Sequence, residues 1–197
     1  MDIDIIKGNF APEEKILWQG KTQPFAVKSG AYAKPITTRF IACAAAAVVL
    51  LLAYILACNA SGTNVGIVGI LVCIIVPGYV AVDPFFNRRR MLKHNNYVVT
   101  DSRVYAQVDA KNVRAINLND IKNIQYVAGE KGCGSIIIST DASLKLEETK
   151  LRKTAMVPIA KEGAGSVSAP FMEVATLVLY NVDAPEKAMG VLNGAAV

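Results

Sequence analysis

FIACAAAAVVLLLAYILAC, residues Phe40 to Cys58, is followed after a short uncharged turn by VGIVGILVCIIVPGYVAV, residues Val65 to Val82. The first run holds 19 residues and the second 18, with no charge in either. At a rise of about 1.5 Å per residue, each helix approaches the roughly 30 Å of a bilayer's hydrocarbon layer. A core helix in a soluble chain of this size carries a polar stripe, and neither run has one. The pair predicts a membrane hairpin with spans 40–58 and 65–86.

The flanks of the hairpin carry its orientation. Lys28, Lys34 and Arg39 precede the first run, and Arg88, Arg89, Arg90 and Lys93 follow the second. The turn Asn59 to Asn64 is uncharged. Under the positive-inside rule both termini face the cytoplasm, which predicts a multi-pass protein of the plasma membrane. Residues 1–93 hold ten Lys and Arg against five Asp and Glu, whereas residues 94–197 hold eleven of each. The net charge of +5 therefore belongs to the membrane half and disfavours nucleic acid as a partner. No cleavable signal peptide is expected, because the first apolar run starts too late; that span would itself target the chain.

Three of four cysteines (Cys43, Cys58, Cys73) lie in the apolar runs, and Cys133 stands alone in the polar half. No spacing suits zinc, which predicts free thiols, no metal and no cofactor. Gly62 and Gly66 have GxxxG spacing, read first as packing within the hairpin and second as dimerisation between chains. Pro77-Gly78 predicts a kink in the second helix. Asp83 is expected at the interface, where Arg88 to Arg90 make a carboxylate tolerable. Trp18 and Phe25 suit interfacial anchoring, and Trp18 equally suits packing on the later domain.

Residues 1–39 read as a polar lead-in, 40–93 as the hairpin with its basic cluster, and 94–197 as a cytoplasmic domain. In that domain the pattern changes to short β-prone runs. Tyr97–Thr100 and Arg103–Val108 flank Asp101-Ser102 as a hairpin. Val113–Leu118, Ile121–Val127, Ser135–Thr140 and Phe171–Tyr180 are further strands. Residues 141–153 are expected to be a charged hairpin tip or a mobile insertion, 155–160 a strand, and 161–170 turns. Asp183 caps a final helix from Ala184 to Asn193, with Pro185 in its first turn. Six or seven antiparallel strands and a terminal helix imply a small barrel or sandwich.

Glu14-Lys15-Ile16-Leu17-Trp18-Gln19-Gly20 precedes the hairpin; Tyr97-Val98-Val99-Thr100-Asp101-Ser102-Arg103-Val104 and Ile116-Asn117-Leu118-Asn119-Asp120-Ile121-Lys122-Asn123-Ile124 follow it. Gly132-Cys133-Gly134-Ser135-Ile136 and Val182-Asp183-Ala184-Pro185-Glu186 complete the series. In this order and spacing the chain resembles the bacterial pleckstrin-homology (PH) domain membrane proteins, over nearly its whole length. The resemblance implies an α+β membrane protein: a two-helix transmembrane hairpin followed by a PH-like antiparallel β-barrel with a C-terminal capping helix. It implies no catalytic activity.

The residues agree in predicting no enzyme. There is no GxGxxG, P-loop or GxSxG. Gly129 to Gly134 reads as a β-turn, His94 as a linker histidine, and Cys133 as an idle thiol. The expectation is a membrane-anchored, non-catalytic binding or scaffold module, with a protein partner or self-association. The alternatives are an anionic-lipid head-group sensor centred on Arg88, Arg89, Arg90 and Lys93, or an accessory subunit of a transporter or envelope-stress complex. The membrane lipids are partners in each case, since cations beside an anionic leaflet gain roughly 1 kcal/mol apiece.

Overall fold

The computed structural model describes residues 3–27, 33–165 and 169–195, except the side chains of 33–35, 148, 149 and 195. Lys28, the side chain of Lys34 and part of the 161–170 turn region lie outside the described residues. The chain divides into two compact units, residues 26–88 and residues 1–25 with 89–197.

In the first unit the two apolar runs are helices α2 (Ala33–Ala60) and α3 (Ile67–His94), the latter passing into the second unit. Both are long and apolar enough to cross a membrane, and nothing in the most apolar stretch of α2 is buried. Helix α3 runs on through Pro77 and Pro84 and ends well past the expected residue 86.

Tyr54 holds the two helices together near the turn. Its hydroxyl accepts the Gly66 N–H at 3.0 Å, and its ring fills the space a side chain at Gly69 would need. Gly62 lies in the turn with φ +67° and Gly66 precedes α3, so the expected GxxxG pair forms no helix face. At the other end, Arg39 Nη2 lies 3.2 Å from Asp83 Oδ2, which also accepts Asn87 Nδ2 at 3.0 Å. The neighbour of Asp83 is thus Arg39 of the opposite helix, where proximity in sequence pointed to Arg88–Arg90.

The second unit opens with the short α1 (Asp4–Lys7) and β1 (Ile16–Lys21). After α3 come β2 (Asn96–Thr100), β3 (Arg103–Gln107) and β4 (Val113–Asn117), then β5 (Asn123–Ala128) and β6 (Cys133–Ser139). Helix α4 (Glu148–Met156), β7 (Ile159–Ala160), β8 (Phe171–Asp183) and α5 (Pro185–Ala195) complete it. The sheet order is β1-β2-β3-β4-β8-β6-β5, with β7 beside β8.

Strand β8 joins the two halves of this sheet. Phe171–Glu173 pair in parallel with Val113–Ala115 of β4, while Thr176–Asp183 pair antiparallel with β6. Two expectations are corrected here. The sheet is not wholly antiparallel, and β1 and β5 do not pair with each other, so it is a curled half-barrel and not a closed one. Helix α5 packs on β1, β2 and β6 and buries Ala188 and Leu192 completely in the main core. The residue before that helix is Ala184, at φ +44°, so Asp183 is not its N-cap.

Residues 141–153 are also corrected: they run into helix α4 and form no hairpin tip. Leu151 and Ala155, four residues apart, are its buried face. The expected strand at 155–160 shrinks to Ile159–Ala160.

The lead-in is part of the domain. β1 pairs antiparallel with β2, so an edge of the sheet is built from residues before the hairpin. Trp18 packs on the main core, the second of its two readings, and Phe25, expected as an interfacial anchor, meets Tyr180 edge-on at 5.1 Å. Ahead of β1, Glu14 accepts hydrogen bonds from Ser102 Oγ at 2.7 Å, Tyr105 Oη at 2.9 Å, the Ala11 N–H at 2.7 Å and the Thr100 hydroxyl. Partial burial disfavours its charge, but these donors outweigh that and hold its pKa below the ordinary 4.5. Stability from such a depressed carboxyl is present above its ordinary value and is lost as pH falls through the lowered one. Glu14→Gln is therefore expected to lower the melting temperature at neutral pH. The gap from the parent should close on acidification below about pH 4.5, followed by circular dichroism.

Candidate functional site

The basic cluster occupies the last two turns of α3. Met91 is completely buried and Asn95, just past the helix, is buried too. With 100° between successive residues, Arg89, Arg90 and Lys93 fall on the opposite side, and all three are exposed. Arg88 points closer to the Met91 side, is half-buried, and belongs to the other compact unit. The four cations expected to act together are thus three plus one.

Arg90 is held by the β3–β4 turn. Its Nη2 lies 2.7 Å from Asp109 Oδ2. Asp109 also receives the Lys111 and Asn112 N–H groups, each at 2.9 Å, and Asn112 Nδ2 at 2.6 Å. Burial opposes its ionisation, but the two N–H groups, the Asn112 amide and Arg90 together bring its pKa down to about 2. An Asp two residues before a turn's N–H groups closes the turn through its own side chain, so the sequence Asp109-Ala110-Lys111-Asn112 forms this clasp locally.

Beside the clasp is an open hollow of about 610 Å³ lined by Arg90, His94, Asp109, Lys111, Asn112 and Pro170. The Lys111 ammonium enters no ion pair among the described residues, and Arg89 and Lys93 add exposed charge on the adjoining helix face. Arg90 is neutralised by Asp109, so the available positive charge comes from Arg89, Lys93 and Lys111. Lys111 was not expected here; the turn was legible, but its approach to α3 depends on contacts distant in sequence. The hollow can receive an anionic group.

The remaining sequence candidates lie apart. Lys131 and Gly132, at φ +57° and +77°, make the tight turn before β6. Burial and the nearby Asp183 push the Cys133 thiol above its ordinary value, against the pull of Lys131, so it stays protonated at neutral pH. Among the described residues, no three His, Cys, Asp or Glu side chains come together as a metal site. No family model, curated protein or solved structure matches this chain.

Because its pKa is depressed, Asp109 contributes stability above its ordinary 3.8, and that contribution fades only as pH approaches about 2. Asp109→Asn is expected to be less stable than the parent by about 1–3 kcal/mol at pH 7. Urea titrations should give nearly the same difference down to about pH 4, since Asp109 stays largely ionised over that range.

Proposed function

We propose that this chain is a membrane-anchored, non-catalytic module. In this reading α2 and α3 cross the plasma membrane as a hairpin and hold a PH-like half-barrel at the cytoplasmic face, where it binds protein partners or a second copy of itself. The observation that carries it is the uncovered apolar surface of the helices. Leu52, Leu56, Val68, Ile75 and Tyr79 are all more than half exposed, which water would penalise by about 25 cal/mol for each Å² of apolar area. Strand pairing supports the same orientation for both ends. Because β1 and β2 flank the hairpin and share a sheet, residues on its two sides belong in one compartment. The basic residues at both helix ends favour the cytoplasm for that compartment.

This predicts that the full chain remains in membranes washed with alkaline carbonate and leaves them only in detergent. A single cysteine introduced in the turn at Thr63, with the native cysteines replaced, should react with a membrane-impermeant maleimide on intact cells. A cysteine placed at exposed Lys187 should react only after lysis. Labelling of Lys187→Cys on intact cells would defeat the proposed orientation.

A second reading, an anionic head-group sensor, is favoured by the exposed Arg89 and Lys93 beside Lys111 and the open hollow. Each cation near an anionic surface is worth about 1 kcal/mol and is screened over a Debye length of about 8 Å at physiological salt. In nanodiscs, replacing part of the neutral lipid by phosphatidylserine should raise the melting temperature of the full chain. Arg89→Gln with Lys93→Gln and Lys111→Gln, or high salt, should remove most of that rise. An equal rise in parent and triple variant would remove the sensor reading and leave the anchored module standing.

A further inference from the structure

Histidine is the side chain whose ordinary titration falls between about pH 5 and 8. This chain has a single one, His94. The sequence alone marks it as a linker residue after the basic run. The structure puts it at the last position of α3, half-buried, on the wall of the hollow beside the Arg90–Asp109 clasp. Four residues separate it from Arg90, so the two share one side of the helix. Met91 and Asn95, one position on from each, take the buried side.

Three elements wall the hollow, and two of them bring charge to His94. Helix α3 contributes Arg90, with Arg89 and Lys93 exposed on the adjoining face. The β3–β4 turn contributes Asp109 and Lys111, and Pro170, ahead of β8, adds no charge. Arg90 and Asp109 offset each other at 2.7 Å. Asp109, held also by the Lys111 and Asn112 N–H groups, keeps its charge until pH approaches about 2. Lysine and arginine side chains ordinarily stay charged throughout the range in which a histidine titrates. With a neutral imidazole the hollow therefore holds one uncompensated charge, the Lys111 ammonium. With an imidazolium it holds two of the same sign.

Two like charges on one open space repel unless an anion lies between them. An anionic group in the hollow removes that penalty, so its binding and the uptake of a proton by His94 favour each other equally. We infer that His94 makes anionic head-group binding pH-dependent: as pH falls, its imidazolium joins Lys111, Arg89 and Lys93, and the domain holds anionic lipid more firmly. The bound state carries the extra proton, so the added affinity is present at the acid end and fades as pH rises. This rests on the head-group reading and adds the regulation of that same site.

The test is thermal melting of the full chain in nanodiscs at about pH 5.5 and about pH 7.5, on either side of an ordinary histidine's titration. Phosphatidylglycerol replaces part of the phosphatidylcholine, because a phosphodiester keeps its negative charge at both pH values. The rise over pure phosphatidylcholine at the same pH removes any effect of acidity on the fold itself. Three available cations become four on protonation, so the rise in the parent should be about one third larger at the lower pH. His94→Gln should give the smaller rise at both pH values, and His94→Lys the larger rise at both. A parental rise equal at the two pH values, or a pH dependence that survives in His94→Gln, would overturn the inference and leave the head-group reading in place. No rise at either pH, in the parent and His94→Lys alike, would remove that reading and this inference with it. The parent's own comparison decides the matter even if one variant fails to fold.

Discussion

Apolar side chains without protein cover are the constraint from which the rest follows. Along α2 and α3 the greasy surface is exposed around most of each helix. Such a surface requires lipid or another chain around it, and a hairpin of two long helices is what a bilayer accommodates, because each helix satisfies its own backbone. Tyr54 against Gly66 and Gly69, with Arg39 against Asp83 toward the opposite end, then fastens the pair to itself. The polar contacts sit near the two ends of the hairpin.

The domain meets a different demand with β8. A curled sheet needs a strand long enough to belong to both of its halves, and the thirteen residues of β8 supply it. Ile136, Ile138, Leu177 and Leu179 fill the concave side, and α5 closes over them with Ala188 and Leu192. Tyr97 is fully buried beneath this arrangement, yet its hydroxyl is used three times. It lies 2.9 Å from Thr22 Oγ1 and accepts the Tyr180 N–H at 3.1 Å and Asn95 Nδ2 at 3.3 Å. One hydroxyl thus ties the segment before the hairpin, the segment after it and the central strand, at a point where an unpaired polar group would be costly.

Elements whose signals are local were legible from residues alone. The uncharged runs gave the helices, the Asp101-Ser102 turn gave β2 and β3, and the isoleucines at 136–138 gave β6. Pro185 marked the start of α5. Helix α4 was missed because Lys and Glu dominate residues 145–153, although Leu151 and Ala155 carry helical spacing. The parallel pairing of β4 with β8 has no sequence signature, since it joins residues far apart. At the candidate site the basic run was plain, while the clasp of Arg90 by Asp109 and the presence of Lys111 arise only when the β3–β4 turn meets α3. Helical geometry, once known, also divided Arg88 from its neighbours.

The pairing of β1 with β2 has a temporal side. Lys15 and Asp101, which exchange hydrogen bonds at the start of this ladder, are 86 positions apart with the whole hairpin between them. During synthesis the first strand leaves the ribosome as an orphan and must wait, unpaired, while both greasy helices emerge and find their surroundings. Completion of the sheet therefore waits until both helices have been made. Without that late pairing Ile16–Lys21 would lack a partner and the sheet would end at β2.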